Sequence, residues 1–255
     1  MIRILYVIQY LFVFTVGVCI GSFLNVLVYR IPRKIDFVKG RSFCPACGHP
    51  LGAADLAPLF SWLLLGRKCR YCSGKISARY PAVELAGGLL ALLSWQHFGP
   101  SWQALVAFAA CGVWLTIALI DADTQEIPDG LVIALASIAL ASAFAAPQTG
   151  WTERLIGMVC VSVPMLLINL AVPTSFGGGD IKMMAAAGLL LGWKMTLVAM
   201  FIALLTGGGY GVWLLASKRK GKREHFAFGP FLAAGCGVAL FAGQQILSWY
   251  LTMFL

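Results

Sequence analysis

Charged side chains are missing from six long stretches of this chain: Ile4 to Tyr29, Leu85 to Ile120, Gly130 to Thr152, Leu155 to Gly179, Met195 to Ser217 and Phe226 to Leu255. Each is long enough to cross a bilayer as a helix, which takes about 20 apolar residues. The stretch from Leu85 would measure about 54 Å as one helix at about 1.5 Å per residue, too long for one crossing. Phe98-Gly99-Pro100-Ser101 marks the break that makes it two. Asp180 to Ser217 is ambiguous in the same way, with Gly192-Trp193-Lys194 as the candidate break. Basic residues decide between the readings. Ten of the nineteen Lys and Arg lie between Arg30 and Arg79, and five more lie in Lys218-Arg219-Lys220-Gly221-Lys222-Arg223. Inner-side loops of membrane proteins carry this excess, so both segments read as cytoplasmic. One crossing after Asp180 would put the second cluster outside; two keep it inside. The pattern therefore predicts an all-α polytopic membrane protein with about eight transmembrane helices, both termini outside. The helix from about Asp180 to Trp193 is short for a span and is expected to tilt or to sit protected among its neighbours.

Composition agrees, since 255 residues that are 60% hydrophobic and only 11% charged do not make a water-soluble domain. A net charge of +9 would suit nucleic acid in a soluble protein. Here the positive-inside rule and anionic lipid account for the basic loops, so the bilayer is the expected partner and nucleic acid is not. The first stretch lacks a small-residue cleavage pattern and reads as a permanent helix rather than a removable signal. At its end, Gly21, Ser22 and Asn25 suit helix packing and interhelical hydrogen bonds, and Pro32 stops it.

The one sizeable polar segment follows, from Arg30 to about Arg79, and carries Cys44-Pro45-Ala46-Cys47 and Cys69-Arg70-Tyr71-Cys72 with 21 residues between the pairs. Two such pairs read as a tetrahedral thiolate site for zinc on Cys44, Cys47, Cys69 and Cys72. A segment of this size buries little core, and a metal would supply the missing stability. Gly48 and Gly74 follow the two pairs at nearly matching offsets, as tight knuckle turns would require. The alternatives are two disulfides, disfavoured by a reducing cytoplasm, and a thiol relay. With four thiolates the site is closed, hence structural rather than catalytic; His49 is a substitute ligand only if a cysteine is not used. Cys19, Cys111, Cys160 and Cys236 lie inside apolar stretches as small packing residues.

Candidate chemistry lies in acids at the ends of apolar runs. Glu84 follows Tyr80-Pro81 near the start of the second helix, either a charge complementing the helix dipole or a ligand. Asp121, Asp123, Glu126 and Asp129 put four acids into nine residues on an inner loop that has no Lys or Arg. Asp121 closes the apolar helix and is deepest, Asp129 follows Pro128 and suits a helix cap, and the other two read as solvated. Phe176-Gly177-Gly178-Gly179-Asp180-Ile181-Lys182 sets another carboxylate after three glycines at the mouth of an apolar segment. A flexible loop with an acidic cap explains it, and so does a place where a substrate strand comes close to backbone. Lys182 would pair with an acidic neighbour or with lipid phosphate. The topology brings Asp121 and Asp180 to the same face, the arrangement of paired acid/base chemistry with one carboxyl protonated and the other ionised.

These residues resemble the type IV prepilin leader peptidases, also called prepilin peptidase/N-methyltransferases, of the GxGD class of membrane aspartic proteases. The match runs through Gly21-Ser22-Phe23-Leu24-Asn25, Tyr29-Arg30-Ile31-Pro32, both cysteine pairs, Arg79-Tyr80-Pro81 with Glu84, Asp121 with Ile127-Pro128-Asp129, and Gly177 to Asp180 with Lys182. The resemblance implies that Asp121 and Asp180 are the catalytic pair, that Gly177, Gly178, Gly179 and Lys182 meet the substrate, and that zinc is structural. It implies a substrate, the leader of a prepilin or pseudopilin, cut on the cytoplasmic side of the bacterial inner membrane after a glycine. It also implies S-adenosylmethionine-dependent methylation of the new N-terminus, an activity not all members have. No nucleotide-binding loop is visible, and Asn25 and Glu84 are the polar groups near the cytoplasmic helix ends left to hold the donor or the amine. On this reading residues 1–29 are the first transmembrane helix, 30–80 a cytoplasmic zinc-binding loop and 81–255 the peptidase core. Against it stand a proton- or cation-coupled transporter, which would set acids near the midplane within an internal repeat, and a membrane thiol oxidoreductase.

Overall fold

The computed structural model describes residues 2–145, 149–173, 175–217 and 226–254, and among these it holds helices and no strand. In chain order the helices are α1 (Ile2–Arg30), α2 (Phe60–Leu64), α3 (Arg79–Phe98), α4 (Trp102–Thr124) and α5 (Asp129–Ala145), then α6 (Trp151–Cys160), α7 (Ser162–Ala171), α8 (Gly178–Leu191), α9 (Trp193–Ala216) and α10 (Gly229–Phe254). The breaks expected at Phe98 to Ser101 and at Gly192 are both present. Gly99 and Gly192 take φ of 66° and 74°, the left-handed region that ends a helix at least cost with glycine. Pro164 cannot donate to the Cys160 carbonyl, which accounts for the interruption between α6 and α7. Among the described residues five helical segments are long and apolar enough to span a membrane: Arg3–Arg30, Trp102–Thr124, Trp151–Ala171, Trp193–Leu214 and Gly229–Met253. Asp129–Phe144 is apolar but shorter, and α8 has only 14 residues. The chain is thus an all-helical, multi-pass membrane protein. The second basic cluster, Lys218 to Arg223, lies outside the described residues.

The chain forms two compact units, residues 1–104 and 105–255. In the first, α1 and α3 run antiparallel with their backbones in close approach. A Cβ added at Gly87 would lie 2.6 Å from the Gly17 carbonyl oxygen and 2.8 Å from the Gly21 Cα. Lipid offers no hydrophobic drive between helices, so close packing of this kind is what holds them. Beyond α1, Arg30 is buried and donates to the carbonyls of Asp36 (2.8 Å), Lys39 (3.4 Å) and Arg41 (2.9 Å), folding the start of the polar segment back on the helix end.

In the second unit α8 packs against α5, α6, α7, α9 and α10. Met183, Met184 and Ala187 are fully buried, so this short helix is shielded as its length requires. A Cβ on Gly157 of α6 would fall 2.4 Å from the Gly188 carbonyl oxygen, so the two backbones touch. Arg154 of α6, 2% exposed, donates to Ser142 Oγ of α5 (2.7 Å) and to the Leu189 carbonyl of α8 (3.1 Å). This buried cation of α6, given no role by the sequence, is a structural clamp that joins three helices. Replacing Gly87 by Leu is expected to force α1 and α3 apart, read as a lowered unfolding temperature in detergent and faster proteolysis of the polar segment.

Candidate active site and metal centre

Asp121 ends α4 and Asp180 lies in the first turn of α8, and both line one cavity of about 640 Å³. They are 5% and 9% exposed. Asp121 Oδ2 accepts a hydrogen bond from the Gly229 N–H at 2.9 Å, and Asp180 Oδ2 accepts one from the Gly177 N–H at 3.2 Å. Asp180 Oδ1 is buried with no hydrogen-bond partner among the described residues. Two carboxylates, each held through one oxygen by a backbone N–H, thus line the same cavity.

The glycine run is not the loop that its composition suggested. Gly177 is the N-cap of α8 with φ −66°, Gly178 and Gly179 are helical, and none of the three needs a left-handed backbone. Their absent side chains matter instead. A Cβ on Gly179 would sit 2.7 Å from Ile127 Cβ and one on Gly177 3.0 Å from Asp180 Oδ2, whereas Gly178 borders open space. Lys182 pairs with Asp129 at 2.8 Å across exposed surface, and Asp123 and Glu126 are exposed. Sequence reasoning missed Gly229 and the aromatic wall of Phe226 and Phe228, both lining the cavity with Phe176. The signal was present in Phe228-Gly229-Pro230, since Gly then Pro opens a helix.

In the polar segment, the four sulfur atoms of Cys44, Cys47, Cys69 and Cys72 lie within 4.8 Å of one another. A tetrahedral zinc with Zn–S of about 2.3 Å would put them about 3.8 Å apart, so the set fits the ion. The knuckles repeat. Gly48 N–H donates to the Cys44 carbonyl (2.8 Å) and Ser73 N–H to the Cys69 carbonyl (2.9 Å), each next to a cysteine and each at positive φ, 72° and 57°. The second left-handed position is therefore Ser73 and not Gly74, whose missing Cβ instead leaves room for Cys72 Sγ. Backbone N–H groups of Cys72 and Tyr71 push the Cys69 thiol down to about 7. The Gly74 N–H favours the Cys72 thiolate, but the Cys47 thiol, burial and the Cys69 thiol outweigh it and push Cys72 up to about 11. Four such thiols cannot all ionise side by side unless a cation joins them. Asp55, whose carboxyl the Arg70 guanidinium holds below the ordinary value, ties the second knuckle to the chain between the pairs at 2.7 Å. His49 stacks on Tyr71 at 3.7 Å.

Asn25 and Glu84 line a different cavity, of about 350 Å³, within the first unit. Asn25 Nδ2 donates to the Tyr80 carbonyl (3.1 Å), and Glu84 Oε2 accepts from the Leu59 N–H (2.8 Å). Because α3 begins at Arg79, Glu84 sits in its second turn and is buried, so it is not the charge at the helix end that the sequence allowed.

Asp121 and Asp180 share one cavity in a multi-pass helical protein, an arrangement open to paired acid/base chemistry. Comparison with known proteins narrows this. Residues 15–98 match the family model described as bacterial peptidase A24 N-terminal domain, and residues 108–212 match the type IV leader peptidase family. Among similar proteins are prepilin leader peptidase/N-methyltransferases from Aeromonas hydrophila (32% identical, covering 95% of this chain and 94% of that one) and Bacillus subtilis strain 168 (32%, 95% and 97%). One from Burkholderia pseudomallei strain 1026b is 33% identical, over 92% of this chain and 86% of its own. No solved structure matches. The chain belongs to the type IV leader peptidase family.

Three outcomes are expected. Cys→Ser at any of the four positions should lower bound metal measured on reduced protein and destabilise residues 30–80. Acidification should release metal with uptake of protons, because the ligands are thiolates. Gly229→Ala should displace Asp121, since the new Cβ would fall 2.7 Å from its Oδ2, and should slow catalysis while metal content stays unchanged.

Proposed function

We propose that this protein is a membrane aspartic endopeptidase that removes the leader of type IV prepilins or pseudopilins and then methylates the new N-terminal amine from S-adenosylmethionine. The observation that carries the peptidase step is the shared cavity of Asp121 and Asp180, each anchored by one backbone N–H. One carboxylate, ionised, takes a proton from a water as it attacks the scissile carbonyl. The other, protonated, donates to the carbonyl oxygen, and no covalent acyl-enzyme is needed. A substrate helix has to unwind before it can be cut, and glycine at the cleavage point lowers that cost. Gly178, beside open space, is where the extended strand can lie against backbone, and Phe176, Phe226 and Phe228 suit an apolar segment. Lys182, two residues after Asp180 and paired with Asp129 on exposed surface, is the remaining residue assigned to meeting the substrate.

The methyltransferase reading rests on the names of the relatives, and zinc rests on the four-thiol cluster. Zinc would be held by Cys44, Cys47, Cys69 and Cys72 with no open position, so it shapes the segment and takes no part in hydrolysis. The basic loop from Arg30 to Arg79 supports a cytoplasmic location for that segment, in the inner membrane, and eight crossings keep the second basic cluster on the same side.

Asp121→Asn and Asp180→Asn should each lower prepilin cleavage at least about 10³-fold, because paired acid and base work as a unit. Both variants should still fold and hold metal. Asp123→Asn, Glu126→Gln and Asp129→Asn should be milder. Cleavage at the normal rate by either catalytic variant overturns the assignment. Purified protein incubated with prepilin and labelled S-adenosylmethionine tests the second activity, and label on the cleaved N-terminus is the expected result.

A further inference from the structure

The cavity in the first unit has walls the peptidase step does not use. It lies where the knuckles meet the ends of α1 and α3, with Tyr29, Phe43, Trp62 and Tyr80 on its lining. Three of these rings each carry a guanidinium over one face: Arg33 on Tyr29 (4.2 Å), Arg30 on Phe43 (5.8 Å) and Arg67 on Trp62 (5.0 Å). Its volume of about 350 Å³ is that of a small-molecule pocket, and its lining is largely apolar with a few polar groups, the usual make-up of a cofactor site. The charges on that lining are mostly committed. Arg30 is spent on three backbone carbonyls, and Asp55 is bound to Arg70 and to the Tyr71 hydroxyl. Among the acids on the lining Glu84 is the exception. One oxygen takes the Leu59 N–H and the other has no hydrogen-bond partner among the described residues. A half-committed carboxylate on an apolar, aromatic-lined wall is a receptor for an organic cation: the carboxylate supplies the opposite charge, and a ring face not covered by a guanidinium adds attraction for a cation that carries no N–H. Leu59 is held at φ 62°, strained backbone for a bulky residue, and its N–H is what fixes Glu84.

We infer that this cavity is the methyl-donor site, that its ligand is an adenosyl sulfonium, and that Glu84 holds the sulfonium charge while an aromatic ring stacks on the adenine. The inference rests on the methyltransferase reading and assigns it a place. When the donor is bound, the lone pair of the deprotonated N-terminal amine attacks the methyl carbon, the carbon–sulfur pair leaves with sulfur as the neutral thioether, and one proton is released overall per methyl transferred. Glu84 then loses its cation, so the product adenosylhomocysteine is held less tightly than the donor. Asn25, committed to the Tyr80 carbonyl, acts by positioning the start of α3 beneath Glu84. Lys75 on the lining offers a cation for the carboxylate of the methionine moiety.

Equilibrium binding to the purified, metal-loaded full chain tests this without any turnover. Wild-type protein should bind S-adenosylmethionine and its amine analogue sinefungin at least about tenfold more tightly than S-adenosylhomocysteine, since the two cations have a charge partner that the thioether lacks. Glu84→Gln, whose amide oxygen can still accept from Leu59 N–H, should erase that preference at unchanged metal content. Val26→Phe, which narrows the cavity from α1 without touching a polar group, should weaken all three ligands together. Wild-type binding that both variants share undiminished would place the donor elsewhere and overturn the inference while leaving the methyltransferase reading intact. A wild type that binds the thioether as tightly as the sulfonium would overturn the role of Glu84. Failure of the wild type to bind any of the three, with or without cleaved pilin, would remove the methyltransferase reading and the inference with it.

Discussion

Keeping two carboxylates among apolar helices is the constraint on which the second unit depends. A polar group withdrawn from water costs several kcal/mol unless it is hydrogen-bonded, and an acid at membrane depth has few partners available. The fold answers twice in the same way, with the N–H of a glycine at the start of a helix: Gly177 before α8 for Asp180, and Gly229 opening α10 for Asp121. Helix starts have N–H groups with no partner inside the helix, so each bond satisfies donor and acceptor together. Glycine is required because a Cβ would come within 3.0 Å of the Asp180 carboxylate or 2.7 Å of the Asp121 carboxylate. The two acids nevertheless differ in what holds them. Asp180 is secured within one turn of its own helix, whereas Asp121 is secured by a residue 108 positions later, so its place depends on α10 being docked.

The docking of α8 rests on backbone contact rather than on large side chains. Gly157 and Gly188 allow α6 and α8 to touch, and Arg154 ties α5, α6 and α8 through a hydroxyl and carbonyls. In hydrocarbon such polar ties and tight contacts take over the role that burial of apolar surface plays in water. A helix of 14 residues can remain in that setting only if other helices cover it, and α8 is covered on most of its surface. Its first turn carries Asp180 buried while Gly178 and Lys182 on the same turns remain exposed.

Much of this was legible in the sequence wherever one physical rule acted alone. Charge-free runs and glycine breaks placed the helices, because bilayer thickness and left-handed helix ends leave little choice. The cysteine spacing placed the metal cluster, because few other arrangements use two such pairs. The acids were legible as expensive groups at the ends of apolar runs. What escaped were features that depend on partners distant in sequence. Gly229 looks like any glycine before a proline until Asp121 is beside it, and nothing around Arg154 in the sequence points to Ser142 or Leu189. The three glycines before Asp180 suggested conformational freedom, while their role is to omit side chains where Ile127 and Asp180 need the room. Gly74 was taken for the turn residue because glycine favours positive φ, yet Ser73 holds that angle, fixed by the hydrogen bond of the knuckle to Cys69.

The polar segment meets a related difficulty from the opposite direction. It has too little apolar material for a core of its own, and Phe60, Leu63 and Leu64 of α2 remain exposed. Its order comes from elsewhere: Arg30 gathering three carbonyls, Asp55 bridging to the second knuckle, Glu84 reaching from α3 to Leu59, and the thiol cluster. These ties meet around one cavity, and the walls of that cavity include Cys44, Pro45, Ala46, Cys69 and Gly74. A metal on the four sulfurs therefore does more than make up for a missing core, because the knuckles it joins are also part of the cavity wall.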